Sequence, residues 1–168
     1  MELEILNWIQ NLRTPILDSF MCFITKSGNG GLIWIVLVIV LLTMKKTRKL
    51  GILMGIALCF EVAICNGLLK NLFQRIRPCD MNSAISLLIS RPSDYSFPSG
   101  HTASSFAVVS LLLFMKYKKL GLVCLVLACL IVFSRMYLYV HYPSDVLGGI
   151  LVGILCGYCA YRLRNTIC

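Results

Sequence analysis

The stretch Phe97-Pro98-Ser99-Gly100-His101-Thr102 ends a polar loop and opens an apolar helix. Pro98 sets the geometry of approach, and Ser99 is a favourable N-cap residue. The free N–H groups of the first helical turn point back at the loop, with the positive end of the helix dipole behind them. Such a terminus is an anion site, and phosphate is its commonest occupant. His101 stands at its rim. Pro-Ser-Gly also describes an ordinary helix start, so the meaning of these six residues depends on what flanks them.

What flanks them is a membrane protein. The 168 residues are 58% hydrophobic and only 14% charged, and the mean hydropathy is +0.83. The apolar residues fall in runs rather than stripes, the pattern of a polytopic chain. Leu32–Met44, Leu50–Leu69, Gly100 to Lys116, Leu120 to about Tyr139 and Val146–Tyr161 read as five spans. Residues 1–26 are expected either to lie in the interface or to cross as a sixth, poor span. Arg13, Pro15 and Asp18 interrupt that segment, and it does not read as a cleavable signal. Ser27–Gly31 is expected as a turn, 71–98 as an outer loop, and Ile85–Ile89 within it as a short surface helix. The fold class is therefore an all-α transmembrane bundle, one membrane-embedded domain over 1–168.

The net charge of +9 does not indicate nucleic acid. The clusters 45–49, 116–119 and 162–164 hold nine Lys and Arg between apolar runs, and alternation places all three on one side. By the positive-inside rule that side is cytoplasmic. Lys70, Arg75, Arg77, Arg91, His101, Arg135 and His141 then gather on the outer face against the charge rule, which points to function. Nine cysteines do not make a disulfide framework, because six of them lie inside apolar runs, where cysteine is a small hydrophobe. The Cys156/Cys159 pair sits mid-span, without partners for redox or metal chemistry.

Three groups converge on the outer face: Lys70 with Arg77-Pro78, then Pro98-Ser99-Gly100-His101, then Ser134-Arg135 with His141 and Asp145. Lys70, Arg77 and Arg135 suit the oxygens of one phosphoryl group. Ser99 and the N–H groups at Gly100 add hydrogen bonds. His141 and His101, the two histidines of the chain, supply a nucleophile and an acid. Asp145 follows His141 by four residues, where a carboxylate accepts the Nδ1 proton and leaves Nε2 free to attack. Taken singly, each residue has an ordinary explanation. Lys70 and Arg77 suit snorkelling anchors, Arg135 a partner for a lipid phosphate, and Asp145 a helix first-turn charge. The convergence of all three spacings on one face outweighs those readings.

These residues resemble the three signature motifs of the type 2 phosphatidic acid phosphatase superfamily. Lys-x6-Arg-Pro fits at Lys70, Arg77 and Pro78, Pro-Ser-Gly-His at 98–101, and Ser-Arg-x5-His-x3-Asp at Ser134, Arg135, His141 and Asp145. The resemblance implies an α-helical bundle, usually of six transmembrane helices. It places the nucleophile on His141, the acid on His101 and the orienting carboxylate on Asp145. Phosphate ligands fall on Lys70, Arg77, Ser99, Gly100 and Arg135, with no metal and no cofactor.

The resulting expectation is an integral membrane phosphatase of a bacterial plasma membrane, its site on the extracytoplasmic face and its partners membrane lipids. The first-choice substrate is undecaprenyl diphosphate, converted to undecaprenyl phosphate. Phosphatidylglycerophosphate or phosphatidic acid is the alternative, and a non-enzymatic lipid-phosphate binding or transport protein is the alternative class. Three charges stay open. Glu61 lies mid-span, nine residues before Lys70 and so about 13 Å deeper along a helix. Pairing within the bundle is preferred for it over binding substrate. Arg75 and Arg91 are read either as contacts to a second phosphate or headgroup, or as loop charges.

Overall fold

Proline and small polar residues set where the chain starts its helices. Thr14 caps α2 (Pro15–Gly28), its hydroxyl accepting from the Leu17 N–H at 3.3 Å, with Pro15 in the first turn. Pro143 opens α9 (Pro143–Arg162) in the same way, where a missing N–H costs nothing. The computed structural model describes residues 1–82 and 84–166. The expected domain and outer loop thus include positions outside the described residues, namely Ser83, Ile167 and Cys168. Among the described residues there are nine α-helices and no strand. The others are α1 (Glu2–Gln10), α3 (Leu32–Thr43), α4 (Arg48–Glu61), α5 (Lys70–Phe73), α6 (Pro78–Met81), α7 (Gly100–Phe114) and α8 (Lys118–Tyr137). A wide π-helical stretch, Val62–Leu69, joins α4 to α5.

The core forms around α7. Leu53, Met54 and Ala57 of α4, Val108, Leu111 and Leu112 of α7, Ala128 and Ile131 of α8, and Cys156 and Ala160 of α9 pack together there. Cys156 acts in it as a small apolar side chain, and the described cysteines are free thiols. Gly149, Gly153 and Gly157 bring α9 against the α7 backbone, a close approach that small residues allow between membrane helices. Apolar side chains also cover the outside: Ile35, Val36 and Ile39 of α3, Leu122, Val123 and Val126 of α8, and Leu147 and Leu151 of α9 are exposed. Water would not tolerate such a surface, whereas lipid does. Four helical segments are long and apolar enough to cross a membrane, and α7 is a shorter apolar helix.

The ends of these helices sort by charge. The α3–α4 turn, the α7–α8 turn and the end of α9 carry Lys45, Lys46, Arg48, Lys116, Lys118, Lys119 and Arg162. The opposite ends, where α5, α7, α8 and α9 meet, carry the candidate site residues.

Three sequence expectations change. Ser27–Gly31 is a bend rather than a reversal. Down α2, Asp18 bonds Tyr137, Thr25 bonds Arg135, and Gly28 lies against Ile131. Down α3, Asn29 meets His101 and Trp34 meets Ser105. The two helices therefore run in one direction, joined through left-handed Gly30 (φ 58°) and Gly31 (φ 71°). Residues 1–26 are also not one element. α1 packs Leu6 and Ile9 on the outer cluster of Tyr137, Leu138 and Tyr139, while α2 buries Met21, Ile24 and Thr25 in the bundle. Finally, Ile85–Ile89 is not helical. It lies half-buried on the same outer cluster, and a short apolar run without period gains more from that burial than from four turn-closing hydrogen bonds.

Candidate active site

Each candidate side chain is delivered by a helix end. α5 carries Lys70, and the extended residues after it carry Arg77 to the start of α6. α7 begins at Gly100 and His101, α8 ends just after Arg135, and the α8–α9 connection holds His141 before Asp145 in the first turn of α9. Together they surround a cavity of about 870 Å³ lined by Lys70, Arg77, Gly100, His101, Arg135 and His141. Its other wall is largely apolar, with Ile35 and Val38 of α3, Leu58 of α4 and Val62 of the π-helical stretch. Ser99 and Asp145 are buried behind that first layer.

The cationic end is bonded internally. Lys70 and Arg77 both bind the Asp94 carboxylate, with Arg77 Nη2 2.7 Å from Oδ1. Arg77 also donates to the carbonyls of Asp94 (2.8 Å) and Val140 (2.7 Å), and its Nη1 lies 3.1 Å from His141 Nε2. Arg135 donates to Thr25 Oγ1, while its Nε has no partner. Burial alone would raise the Asp94 carboxyl, but Lys70 and Arg77 outweigh it and hold the group well below the usual carboxylate range.

His141 is buried, and burial pushes its imidazole down to about 3, with Asp145 opposing and Arg77 and Arg135 reinforcing the shift. The ring is neutral at physiological pH, with a lone pair available for attack. Its Nδ1 lies 3.6 Å from Asp145 Oδ2 and has no hydrogen-bond partner. That distance is beyond a hydrogen bond. Asp145 is instead held by others: Ser96 Oγ (2.5 Å) and the Tyr142 N–H (2.8 Å) donate to Oδ2, and Arg75 Nη1 (2.6 Å) donates to Oδ1. His101 Nε2 lies 3.0 Å from Asn29 Oδ1.

Ser99 occupies the N-cap position of α7, but its side chain makes no cap bond. Its hydroxyl accepts from Thr102 Oγ1 at 3.0 Å, and its N–H donates to the Asp145 carbonyl at 3.1 Å. Glu61, expected to pair within the bundle, has Cys65 and Lys70 as its neighbours there. It is buried in the cavity wall, and its Oε1 has no partner. Nor is it remote from Lys70: a Cβ on Gly100 would lie 3.8 Å from both Glu61 Oε1 and Lys70 Nζ. The π-helical stretch between them winds more residues into each turn, and the two side chains reach toward each other. Arg91 pairs with Asp80 at 2.7 Å, away from the cavity. Arg75 likewise does not line the cavity. Among the described residues, no cluster of three His, Cys, Asp or Glu side chains is placed to hold a metal ion.

The sequence model of the PAP2 superfamily matches residues 48–167. This chain belongs to that superfamily. Its PAP2 relatives include an undecaprenyl-diphosphatase of Sulfolobus acidocaldarius, 32% identical over 164 residues, which cover 97% of this chain and 78% of the relative. The crystal structure of Aquifex aeolicus LpxE matches with a TM-score of 0.82 at 31% identity, over 96% of this chain and 94% of that one. A PAP2-type phosphatidylglycerolphosphate phosphatase from Bacillus subtilis matches with a TM-score of 0.78 at 29% identity, over 98% and 85% of the two chains. The protein is thus a PAP2 phosphatase, a hydrolase of phosphoric esters, and an integral membrane protein.

Asp94, Ser96, Asn29, Thr25 and Thr102 were not legible from the PAP2 motif spacings. Asp94 and Ser96 sit in a loop with no period to mark them, and Thr25 looks like a small residue inside an apolar run. Thr102 alone carried a signal, three residues after Ser99 on the same face of α7.

Proposed function

We propose that the chain removes the terminal phosphate of a lipid diphosphate, undecaprenyl diphosphate in the first instance, at the outer face of a bacterial plasma membrane. The observation that carries this reading is the two-ended cavity. Lys70, Arg77 and Arg135 form one end, and the apolar walls of α3 and α4 form the other. The first suits phosphoryl oxygens and the second a long tail.

In this mechanism the phosphoryl group displaces Asp94 and takes up Lys70, Arg77, Arg135 and the N–H groups at Gly100. Arg77 swings from His141 to a phosphoryl oxygen and frees the Nε2 lone pair. Nε2 attacks phosphorus and the bond to the leaving oxygen breaks, with His101 giving that oxygen a proton. His101 then takes a proton from water, which attacks the phosphohistidine and releases inorganic phosphate. As positive charge develops on the ring, Nδ1 closes its 3.6 Å gap to Asp145, which then holds the imidazolium in place. The reading takes the chain across the membrane five times: α2 with α3, α4 with α5, then α7, α8 and α9. α1 then lies at the outer surface.

His141→Ala is expected to abolish phosphate release from undecaprenyl diphosphate by the purified protein and to leave no acid-quenched phosphoenzyme. Near-normal turnover in that variant would overturn the assignment of the nucleophile, and activity in the wild-type protein is expected to survive chelators. The Bacillus subtilis neighbour's description favours a second reading, phosphatidylglycerophosphate. Comparing turnover of the two lipids separates them.

A further inference from the structure

The carboxylate behind His141 is neutralised from the far side. Asp145 is fully buried, and an ionised carboxylate there requires a partner. His141 Nδ1 is 3.6 Å away and makes no hydrogen bond. Arg75 supplies the partner. Its Nη1 donates to Asp145 Oδ1 and Ser144 Oγ, each at 2.6 Å, and its guanidinium lies 4.1 Å over the Tyr142 ring. Its Nη2 donates to Glu2 Oε2 at 2.7 Å, and Glu2 Oε1 accepts from the Ser144 N–H at 3.0 Å. The first residue of α1 thus closes over both the guanidinium and the first turn of α9. Glu2 lies outside residues 48–167, the part that matches the superfamily.

We infer that Arg75, held by Glu2, is a positioning residue for phosphoryl transfer, which makes α1 part of the working enzyme. Arg75 fixes the rotamer of Asp145 and offsets its charge while His141 is neutral. Asp145 therefore orients the ring without drawing a proton onto it before attack. The inference rests on His141 being the nucleophile. Other charged or titratable groups around this pair are Lys70, Arg77, Asp94, His101, Arg135 and Tyr142, and none of them bonds Asp145 Oδ1.

The test is the pH profile of kcat/KM for phosphate release from a lipid diphosphate, measured on wild-type protein, Arg75→Ala, Arg75→Lys and Glu2→Gln. Arg75→Ala is expected to lower kcat roughly 10- to 100-fold, with KM changed little, because Arg75 does not line the cavity. Its acid limb is expected to move up by about half a pH unit or more, since an uncompensated Asp145 favours the imidazolium. Added guanidinium is expected to restore part of the rate. Arg75→Lys is expected to shift in the same direction by less, and it carries the test if Arg75→Ala does not fold. Glu2→Gln, which removes a negative charge beside Arg75, is expected to lower kcat without raising the acid limb. An unmoved acid limb without guanidinium rescue would make Arg75 merely structural and overturn the inference, as would a change in KM alone. A wild-type protein inactive on lipid phosphates and diphosphates would instead overturn the proposed function, and the inference with it.

Discussion

At the scale of the residue, the cationic end of the site is bonded to its own loop. Lys70 and Arg77, which the mechanism assigns to phosphoryl oxygens, both bind the Asp94 carboxylate. Asp94 is about half exposed, so water screens the interaction and displacing it costs little. Asp94→Asn is expected to tighten inhibition by vanadate or inorganic phosphate roughly three- to tenfold. Inhibition constants unchanged from wild type would show that Asp94 does not compete for the cradle. The same residues set the pH dependence of stability. His141 is pushed down to about 3 in the fold and titrates near 6.5 when unfolded. Between those values the unfolded chain takes up a proton that the native chain refuses, so stability falls as pH drops below about 6.5. Asp94 acts lower: its folded value lies below its ordinary one, so its contribution is present above pH ~4 and is lost as pH falls further. Thermal unfolding in detergent between pH 8 and 5 is expected to show a falling Tm, with a shallower fall in His141→Gln. Equal slopes would deny His141 that role.

At the scale of the element, precision in the site comes from the contact of α7 with α9. The first carries His101 and the second Asp145, so any shift between them moves the proposed acid relative to the proposed orienting carboxylate. A Cβ on Gly153 would lie 2.5 Å from the Ala103 carbonyl, 2.8 Å from Phe106 Cβ and 2.9 Å from the Ala107 nitrogen. Backbone cannot give way as a flexible side chain can. Gly153→Val is expected to destabilise the bundle by about 3 kcal/mol and to lower kcat in whatever protein folds. Gly55→Ala, where the nearest atom beyond the helix is 3.9 Å away, is expected to leave Tm unchanged. Equal thermal stability for both variants would deny the glycine seam its part. These helices were legible because apolar runs end at basic clusters, and the gathering of the candidate residues round one cavity was legible because they sit at helix ends with fixed spacings. The rest had no such signal. A bend of two left-handed glycines looks the same in sequence whether the chain reverses or continues. A π-helical stretch leaves no pattern in an apolar run, so Glu61 and Lys70 read as far apart. Ile85–Ile89 is apolar, but it is packing under α1 that decides its shape.

At the scale of the whole molecule, charge and packing point the same way. The α3–α4 and α7–α8 turns and the end of α9 carry the basic clusters, and the last of these sits among tyrosines, with Arg162 over Tyr158 and Arg164 over Tyr161. Aromatic residues mark a membrane interface, and by the positive-inside rule the proposed orientation makes this the cytoplasmic one. The opposite end holds α1, the 71–98 loop and the cavity. Lys70, Arg75, Arg77 and Arg91 there are paired with Asp94, Asp145, Glu2 and Asp80, so these four add little to the charge that orients the chain. The five crossings proposed above would put the first residue on the side of the site and the last helix end on the other. In a cysteine-free background, Arg91→Cys is expected to react with a membrane-impermeant maleimide added outside intact cells, and Arg48→Cys only after the membrane is opened. Arg91 suits the test because it is exposed and pairs with Asp80 away from the cavity. A tag before Glu2 is expected to be reached with position 91, and one after Arg164 with position 48. Labelling of position 48 alone from outside would invert the chain and turn the site toward the cytoplasm. A tag before Glu2 protected while position 91 reacts would require a sixth crossing, and α1 could then no longer lie against Arg75.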